Sequence, residues 1–419
     1  MKKVLLSSLI FFVFCLFSSC SDKCDENRLV IRQIPIYHPF LPFRNSVVAM
    51  PAGEIQDPGK ICEKDNYLYI NEIKKGVHVI DNNDPSNPRL ISFINIPGNG
   101  DIIIYGNILY ADSYSDLVAI DISDPTRAKE VGRANEVFPV GWFNRVHWNA
   151  GSEGLFFGEY KEQQFAEMSK TDCGDNIAIA PSVKSLRSET SIGTFEFPKT
   201  MTRFAIQDKY LYAIFSIGNF RVFDLRIPSE PSPGANVEVE PDMFSIFVYK
   251  DKLFLGSSNG ITVYDDPAPG FPRKIASFPT GTSCDQITIE NDIAYVLRRS
   301  GTFCTSNLNE LHIVDIHDIK TPKRIKAYSL DSPYKAIAKY PYLYIAEGDN
   351  GFKVFDVRDN LPIDEHLLSF KKDVTAYDMI TTGINNLWVV GKDGLYQYDV
   401  SDPANVKELS KIPVKRVSL

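Results

Sequence analysis

The stretch GVHVID at residues 76–81 is an alternating apolar strand that ends in aspartate, and the chain contains seven such strands. The other copies are DLVAID (116–121), FRVFD (220–224), GITVYD (260–265), ELHIVD (310–315), GFKVFD (351–356) and GLYQYD (394–399). Their terminal aspartates are Asp81, Asp121, Asp224, Asp265, Asp315, Asp356 and Asp399, at intervals of 40, 103, 41, 50, 41 and 43 residues. Because one interval is more than twice the usual spacing, the pattern predicts that a copy between Asp121 and Asp224 has decayed.

A second strand precedes each aspartate strand and supports this count. Its copies are NYLYI (66–70), NILYA (107–111), KYLYA (209–213), KLFLG (252–256), DIAYV (292–296), PYLYI (341–345) and NLWVV (386–390), and GLFFG (154–158) supplies the missing one. The apolar pattern has a period of two, which excludes solenoids of helix pairs. Four strands in a unit of about 40–45 residues is the period of propeller blades.

The sequence therefore predicts an all-β fold, a β-propeller of four-stranded antiparallel blades over residues 55–419. Eight blades are expected. The third unit departs from the repeat, because its aspartate strand is degenerate (QQFAEMS, 163–169) and an insertion lies near residues 171–190. The alternative is a propeller of seven blades in which the third unit is an additional segment that carries the insertion.

The seven aspartates are interpreted as parts of the scaffold. Each ends a strand before a turn rich in Asp, Ser, Asn and Pro, as in DISDP (121–125). A short carboxylate at such a point accepts backbone N–H bonds and fixes the turn. A ligand site would occur once, so we predict that these residues are structural.

Residues 1–19 have the features of an export signal. Lys2 and Lys3 form a charged start, and Val4–Phe17 is an apolar stretch of 14 residues, too short to span a bilayer. The segment resembles a bacterial lipoprotein signal ending at Cys20, and the acidic start of the following tether, residues 20–54, resembles sorting signals of Bacteroidetes-type surface lipoproteins. These resemblances imply lipid attachment at Cys20 and an outer-membrane lipoprotein, periplasmic or surface-exposed.

Composition gives no support to nucleic-acid binding. The formal net charge is −8, and removal of Lys2 and Lys3 would change it to −10. We expect contact with the membrane through the lipid anchor only. No metal-ligand spacing is present in the sequence, so we expect neither a metal nor a cofactor.

Five cysteines would remain beside the predicted anchor. Cys284 and Cys304 flank two predicted antiparallel strands at the same end of one blade, and we predict a disulfide between them. The pairing of Cys24, Cys62 and Cys173 stays open.

The repeated L/F-x-V-x-D strand, with its NxLYI-like partner and DP turns, resembles the LVIVD repeat family of secreted and surface β-propeller proteins over roughly residues 60–412. The resemblance implies a propeller and an extracellular or periplasmic setting. It carries over no catalytic residue.

The loops between second and third strands share one face of a propeller with the connections between blades, and specificity usually resides on such a face. Aromatic and basic residues on that face suit stacking on carbohydrate or a protein contact. The candidates are Tyr114, Trp142, Phe143, Arg145, His147, Trp148, Tyr160, Arg298 and Arg299. Trp142 and Trp148 have an alternative role, in plugging the channel or packing beneath the insertion.

Two functional classes follow from this reading. The first is a non-catalytic envelope or surface lipoprotein, a monomer that binds a protein or glycan partner. The alternative is an exported hydrolase or lyase acting on glycans, which would need two carboxylates about 5–9.5 Å apart. The sequence shows no nucleophile elbow, phosphate loop or metal motif, so we assign no catalytic residue and favour binding.

Overall fold

The computed structural model describes residues 23–143, 146–172, 203–216, 218–239, 243–257, 260–266, 268, 271–278, 287–300, 308–358 and 363–415. The chain divides into two compact units. The first contains Met1–Tyr37 and Gly158–Gly193, and the second contains His38–Phe157 and Thr194–Leu419.

The N-terminal elements precede the repeated part of the fold. They are β1 (Lys23–His38), the helix α1 (Phe40–Arg44) and β2 (Val48–Pro51). β2 pairs with the outer strand of the first blade, where Met50 lies opposite Phe93, and it also reaches the outer strand of the second blade, where Val48 lies opposite Lys129. The lead-in therefore supplies an outer strand that joins two blades into one nine-stranded sheet.

The first two blades and an irregular sheet follow. Blade 1 is β3 (Pro58–Lys64), β4 (Tyr67–Glu72), β5 (Gly76–Asp81) and β6 (Arg89–Asn95). Blade 2 is β7 (Ile102–Tyr105), β8 (Ile108–Ser113), β9 (Asp116–Asp121) and β10 (Lys129–Ala134). The irregular sheet has the order β1-β13-β12-β11, with β11 (Val140–Phe143), β12 (Val146–Gly151) and β13 (Gly154–Asp172).

Five further blades complete the second unit. Blade 3 is β14 (Phe204–Gln207), β15 (Tyr210–Ser216), β16 (Asn219–Asp224) and β17 (Ser232–Glu238); blade 4 is β18 (Met243–Tyr249), β19 (Lys252–Ser257), β20 (Gly260–Asp265) and β21 (Arg273–Phe278). Blade 5 is β22 (Ile287–Glu290), β23 (Ile293–Arg298), β24 (Glu310–Asp315) and β25 (Lys323–Ser329). Blade 6 is β26 (Lys335–Lys339), β27 (Tyr342–Ala346), β28 (Phe352–Asp356) and β29 (Leu367–Lys371), with a short 3₁₀ helix at Ile363–Glu365; blade 7 is β30 (Asp378–Thr382), β31 (Asn386–Val390), β32 (Gly394–Asp399) and β33 (Lys407–Pro413).

The repeated aspartate strand is the third strand of every blade. Its side chains are buried on both faces, as in β5, because each blade packs face to face against its neighbours. Among the described residues seven apolar clusters result, and each joins two adjacent blades; the cluster between blades 2 and 3 also contains residues of the irregular sheet. The propeller fold predicted from the sequence is therefore correct.

The described contacts correspond to the seven-blade alternative. The innermost strands β7 and β14 contact each other, so blades 2 and 3 are direct neighbours. At the other end of the sequence β3 contacts β30, and Ile55 bridges Val414, which joins blade 1 to blade 7. The segments expected to form two strands of an eighth blade, GLFFG and QQFAEMS, lie within the single strand β13.

Five charged residues occupy equivalent positions near the start of the innermost strands, and we call them the charged girdle: Lys335, Asp378, Lys60, Asp101 and Arg203, in blades 6, 7, 1, 2 and 3. Their charges alternate in sign around the ring. Lys335 Nζ lies 3.6 Å from Asp378 Oδ1, and Lys60 Nζ lies 2.9 Å from Asp101 Oδ1. The girdle therefore spans the junction between the last blade and the first.

Candidate functional site

The loops between second and third strands, together with the connections that enter each blade, form one end of the propeller, which we call the loop face. Several acidic residues lie at this end. Glu72, at the end of β4, accepts hydrogen bonds from the backbone N–H groups of Gln56 at 3.0 Å and Asp57 at 2.8 Å. His78 Nε2 lies 3.2 Å from the same carboxylate. Glu72 thus fixes the connection that enters its own blade.

Asp112 has the corresponding role at the end of β8. Its carboxylate accepts bonds from the N–H of Gly100 at 2.6 Å and of Asp101 at 3.0 Å, and from Arg203 at 2.6 Å. Burial raises the pKa of Asp112, although Arg203 opposes the shift. Asp101 is also buried, and it accepts the N–H groups of Ile102 and Arg203, both at 2.7 Å. The carboxylates of both acids are therefore fully hydrogen-bonded within the scaffold, and a substrate cannot reach them.

Asp116 holds a further buried network at the start of β9. It accepts bonds from Arg44 Nε at 2.7 Å, from Arg133 at 2.9 Å and from the N–H of Glu136 at 2.9 Å. Burial alone would raise the pKa of Asp116, but these hydrogen bonds and charges outweigh it and hold the pKa below its ordinary value. The network links α1 to the outer strand of blade 2.

Glu347 repeats the arrangement in blade 6. It is fully buried, accepts the N–H of Asp331 at 3.0 Å, and pairs with Lys353 Nζ at 2.5 Å. The buried acids of the loop face thus tie strand ends to neighbouring connections.

The aspartates that end the third strands lie at the opposite end of the propeller. Six of them accept the N–H group two residues ahead, as Asp81 does from Asn83 at 3.0 Å, which is the geometry of an Asx turn. The other five such bonds are those of Asp121, Asp224, Asp315, Asp356 and Asp399. Asp265 pairs instead with Lys252 at 3.2 Å and Arg273 at 3.1 Å.

Five of the candidates predicted on the loop face lie within residues 140–148, where the strands β11 and β12 pair antiparallel and Trp148 lies opposite Gly141. Trp148 is 2% exposed and belongs to the apolar cluster between blades 2 and 3. Tyr114 packs edge to face against Trp148, with ring centroids 6.0 Å apart, and against Phe43 at 4.9 Å. Trp148 and Tyr114 are therefore packing residues in this sector.

The other candidates of this segment, the side chains of Trp142, Phe143 and His147 and the whole of Arg145, lie outside the described residues. The disulfide predicted between Cys284 and Cys304 also falls on residues that are not described.

The remaining candidates divide between two places. Tyr160 lies in the first unit, on β13, and is exposed. Arg298, at the end of β23, bonds Glu310 at 2.9 Å, and the same carboxylate lies 2.9 Å from His312 Nε2. The guanidinium of Arg299 lies 4.0 Å from the ring centroid of Tyr334, in a cation–π contact.

Arg299 belongs to a group that spans blades 5, 6 and 7 on the loop face, which we call the tyrosine array: Arg299, Tyr334, Asp349, Tyr377 and Lys392. The Tyr334 and Tyr377 rings meet edge to face with centroids 4.8 Å apart. The Tyr377 hydroxyl donates to Asp349, and Lys392 Nζ pairs with Asp349 at 2.5 Å. Burial and the bond to Asp349 raise the pKa of Tyr377 to about 12, so its hydroxyl remains protonated at neutral pH.

Arg299 was predicted on this face from its sequence, but both tyrosines were missed. A signal was available, because Tyr334 and Tyr377 hold the same repeat position, directly before the girdle residues Lys335 and Asp378. Comparing the first strands of the repeats, SPYKAIAK (332–339) with TAYDMITT (375–382), would have revealed it.

The described residues contain no group of three or more His, Cys, Asp or Glu side chains arranged to hold a metal ion. The side chain of Cys62 is a free thiol, and burial raises its pKa to about 11. No helix in the described part of the chain is long and apolar enough to cross a membrane.

Comparison with known proteins identifies the class to which this fold belongs. Residues 60–95, 99–136 and 340–360 match the LVIVD repeat. The chain therefore contains LVIVD repeats, which are characteristic of a β-propeller-type family. A search of curated proteins gave no match.

Solved structures agree with the fold. The chain resembles the computationally designed Ika8 protein, with a TM-score of 0.51, 10% identity, and coverage of 88% of this chain and 91% of that one. It resembles Kluyveromyces lactis Hsv2 carrying a Gly-Ser linker in place of loop 6CD, with a TM-score of 0.50, 9% identity, and coverage of 86% and 98%. The dihydro-heme d1 dehydrogenase NirN in complex with DHE gives a TM-score of 0.50, 12% identity, and coverage of 92% and 78%. At such identities the similarity shows the fold alone.

Proposed function

We propose that this protein is a non-catalytic lipoprotein of the cell envelope whose propeller binds a protein or glycan partner through the loop face. The observation that carries the proposal is that the buried acids of the loop face are engaged by the scaffold, while its exposed carboxylates Asp349 and Asp393 pair with lysine side chains. Glu72, Asp112, Asp116 and Glu347 are buried and engaged by backbone N–H groups or by basic side chains. A glycosidase needs two carboxylates open to its substrate.

The surface groups of the same face support binding. The tyrosine array joins three blades through an aromatic pair, a cation–π contact and an ion pair. Aromatic and arginine side chains are the groups that most often dominate binding surfaces. Contacts among them hold the side chains in place before a partner arrives, which lowers the entropic cost of binding.

The envelope location rests on the sequence of the N-terminus. In this proposal Cys20 carries the lipid, and residues after it tether the propeller to the outer membrane, on its periplasmic or outer side. Cells expressing the full chain and its C20A variant, fed a radiolabelled or alkyne-tagged fatty acid, test this. We expect label on the natural chain and none on the variant; equal labelling, or none on either, would contradict the lipid anchor.

Measuring the turnover of polysaccharides tests the proposal that the protein is not catalytic. Purified protein incubated with a broad panel of envelope and plant polysaccharides should release no new reducing ends and no unsaturated products. The proposal fails if turnover is found and is abolished by replacing one loop-face carboxylate, such as Asp349, while folding is retained.

A further inference from the structure

We propose that Arg298, Glu310 and His312 form an acid-sensitive joint at the loop end of blade 5, which opens when His312 takes up a proton. These three residues are called the histidine joint. The joint goes beyond the proposed binding function, because it acts on the loop face whichever partner that face binds.

The histidine joint connects the end of β23 to the start of β24. Arg298 lies opposite Glu310 in the strand register, and its guanidinium donates to Glu310 Oε2 at 2.9 Å. The same oxygen lies 2.9 Å from His312 Nε2. Because an ionised carboxylate can only accept hydrogen bonds, Nε2 carries the proton of the neutral ring and Nδ1 carries a lone pair.

The Nδ1 atom of His312 lies where a second proton meets no acceptor. His312 is 1% exposed, and no described residue forms a hydrogen bond with Nδ1. Protonation places an N–H group and a positive charge at this buried position. A buried charge without a full set of hydrogen bonds is costly, so the proton is taken up most readily when the strand end opens to water.

The groups around the ring also disfavour its charged form. His312 lies on the same face of β24 as Val314, which belongs to the apolar cluster between blades 4 and 5. The charged groups that act on the ring are Glu310 on its own strand, Arg298 on β23 and Arg324 on β25. Burial, joined by the two arginines, lowers the pKa of His312, although Glu310 opposes the shift. The buried side chains that blade 4 contributes to the cluster are Phe254, Ile261, Val263, Ala276 and Phe278.

The histidine joint has fewer bonds to the backbone than comparable acids of the loop face. The carboxylates of Glu72 and Asp112 each accept two backbone N–H groups. The described bonds of the Glu310 carboxylate come only from the side chains of Arg298 and His312. Arg298 Nε is also buried and has no hydrogen-bond partner among the described residues. Opening at this strand end therefore breaks fewer bonds.

The pH of opening follows from the histidine. Because folding lowers the pKa of His312, the contribution of the neutral ring to stability is complete above the unfolded pKa of about 6.5 and is lost as pH falls through the folded pKa. Burial alone would raise the pKa of Glu310, but the bond from His312 and the charge of Arg298 outweigh burial and lower it. The carboxylate therefore stays ionised while His312 titrates.

Opening of the histidine joint also affects the tyrosine array. Arg299 directly follows Arg298, and its guanidinium packs on the ring of Tyr334 in blade 6. When the end of β23 opens, the chain that positions this contact moves. The loop face therefore changes at mildly acidic pH.

Hydrogen–deuterium exchange of the full chain at about pH 7 and about pH 5.5, corrected for the intrinsic exchange rate, measures the opening of each strand. Because the closed joint disfavours a charged histidine, the opening equilibrium of β23 and β24 should increase about threefold to eightfold at the lower pH. Blade 7, residues 378–413, contains no histidine and should change less than about twofold.

H312Q should abolish the increase, because glutamine can bond Glu310 but does not titrate. H317Q is the matched control, since the His317 side chain is 88% exposed, and it should keep the increase. If H312Q is unfolded, NMR titration of the histidine rings of the natural chain replaces it. One ring should then titrate below about pH 6.5, together with the increase in opening.

The proposal is overturned by equal opening of β23 and β24 at both pH values, or by an H312Q variant that keeps the increase. A natural chain in which every histidine ring titrates at or above about pH 6.5 also overturns it. Each outcome is measured without a partner or a substrate, so the histidine joint and the proposed function fail separately.

Discussion

Carboxylates at the end of the second strand, or at the start of the third, bind the segments that connect each blade to its neighbours. Glu72, Asp112, Asp116 and Glu347 are each nearly inaccessible to solvent, and each carries bonds that would otherwise go to water. A buried charge is tolerable only when it is paired and hydrogen-bonded. Their burial could not be predicted from the sequence, because it depends on the chain packed above them.

Replacing Asp116 by Asn should be costly at neutral pH. The amide cannot neutralise Arg44 and Arg133, whose side chains are 23% and 11% exposed, so we expect a loss of about 2–4 kcal/mol in the free energy of unfolding. Because the pKa of Asp116 is lowered by folding, its contribution is complete above the unfolded pKa of about 4 and is lost as pH falls through the folded pKa.

Urea unfolding of both proteins between pH 7 and pH 3 measures the effect. The difference in the free energy of unfolding between the natural chain and D116N should be largest at pH 7 and should become smaller below about pH 4. D65N, at a position where the carboxylate is 74% exposed, is the control and should leave stability nearly unchanged. A gap that stays constant across this range would contradict the role of the ionised carboxylate.

At the scale of elements, the glycine that begins the third strand matters as much as the aspartate that ends it. Gly76 has φ = 148°, and a Cβ added there would lie 2.0 Å from the carbonyl oxygen of Ile94 in β6. The residue therefore allows the third and fourth strands of the blade to approach closely. The same glycine begins the copies GITVYD, GFKVFD and GLYQYD.

We predict that G76A lowers the free energy of unfolding by about 2–4 kcal/mol, since the clash is with backbone atoms and β6 must move. Chemical denaturation measures this. G53A is a matched control, because an added Cβ there meets nothing within 4 Å, and its stability should stay close to that of the natural chain. Equal stability of the two variants would refute the close-approach argument.

Strand periodicity predicted the four-stranded antiparallel sheets of the propeller correctly, but it interpreted the irregular unit as containing two separate strands where the structure has one. GLFFG and QQFAEMS both alternate, so each resembled a separate strand. The residues between them, EYKE at 159–162, lack the Gly, Asn, Asp or Pro that make the turns of the regular blades. Their absence indicates one continuous strand, which is what β13 is.

At the scale of the whole molecule, the ring is closed by side chains and by one bridge. Each regular blade is built from four consecutive strands, so no blade is shared between the two ends of the repeat region. The charged girdle and the apolar cluster of blades 7 and 1, which includes Ile55, Trp388 and Val414, hold the ends together. The tyrosine array could not be assembled from sequence, because its members come together only when blades 5, 6 and 7 are placed around the ring.

The girdle should show measurable coupling across blades. In a double-mutant cycle of Lys60→Met and Asp101→Asn, we expect an interaction energy of about 1–3 kcal/mol, because Lys60 is 23% exposed and Asp101 3% exposed. The exposed pair Arg89 and Asp81, with side chains 67% and 13% exposed, is the comparison and should show much weaker coupling. Thermal or urea unfolding of the four proteins in each cycle gives the values; a coupling no larger at the girdle than at the exposed pair would argue against it.

The adjacency of Ile55 and Val414 has a consequence for the order of the sequence. The N–H of Lys415 donates to the carbonyl of Ile55 at 2.8 Å, so the two ends of the repeat region already lie side by side. A short peptide could join them, and the chain could then begin at any connection between blades without breaking a strand. The order in which the blades are translated can therefore differ from the order in which they pack around the ring.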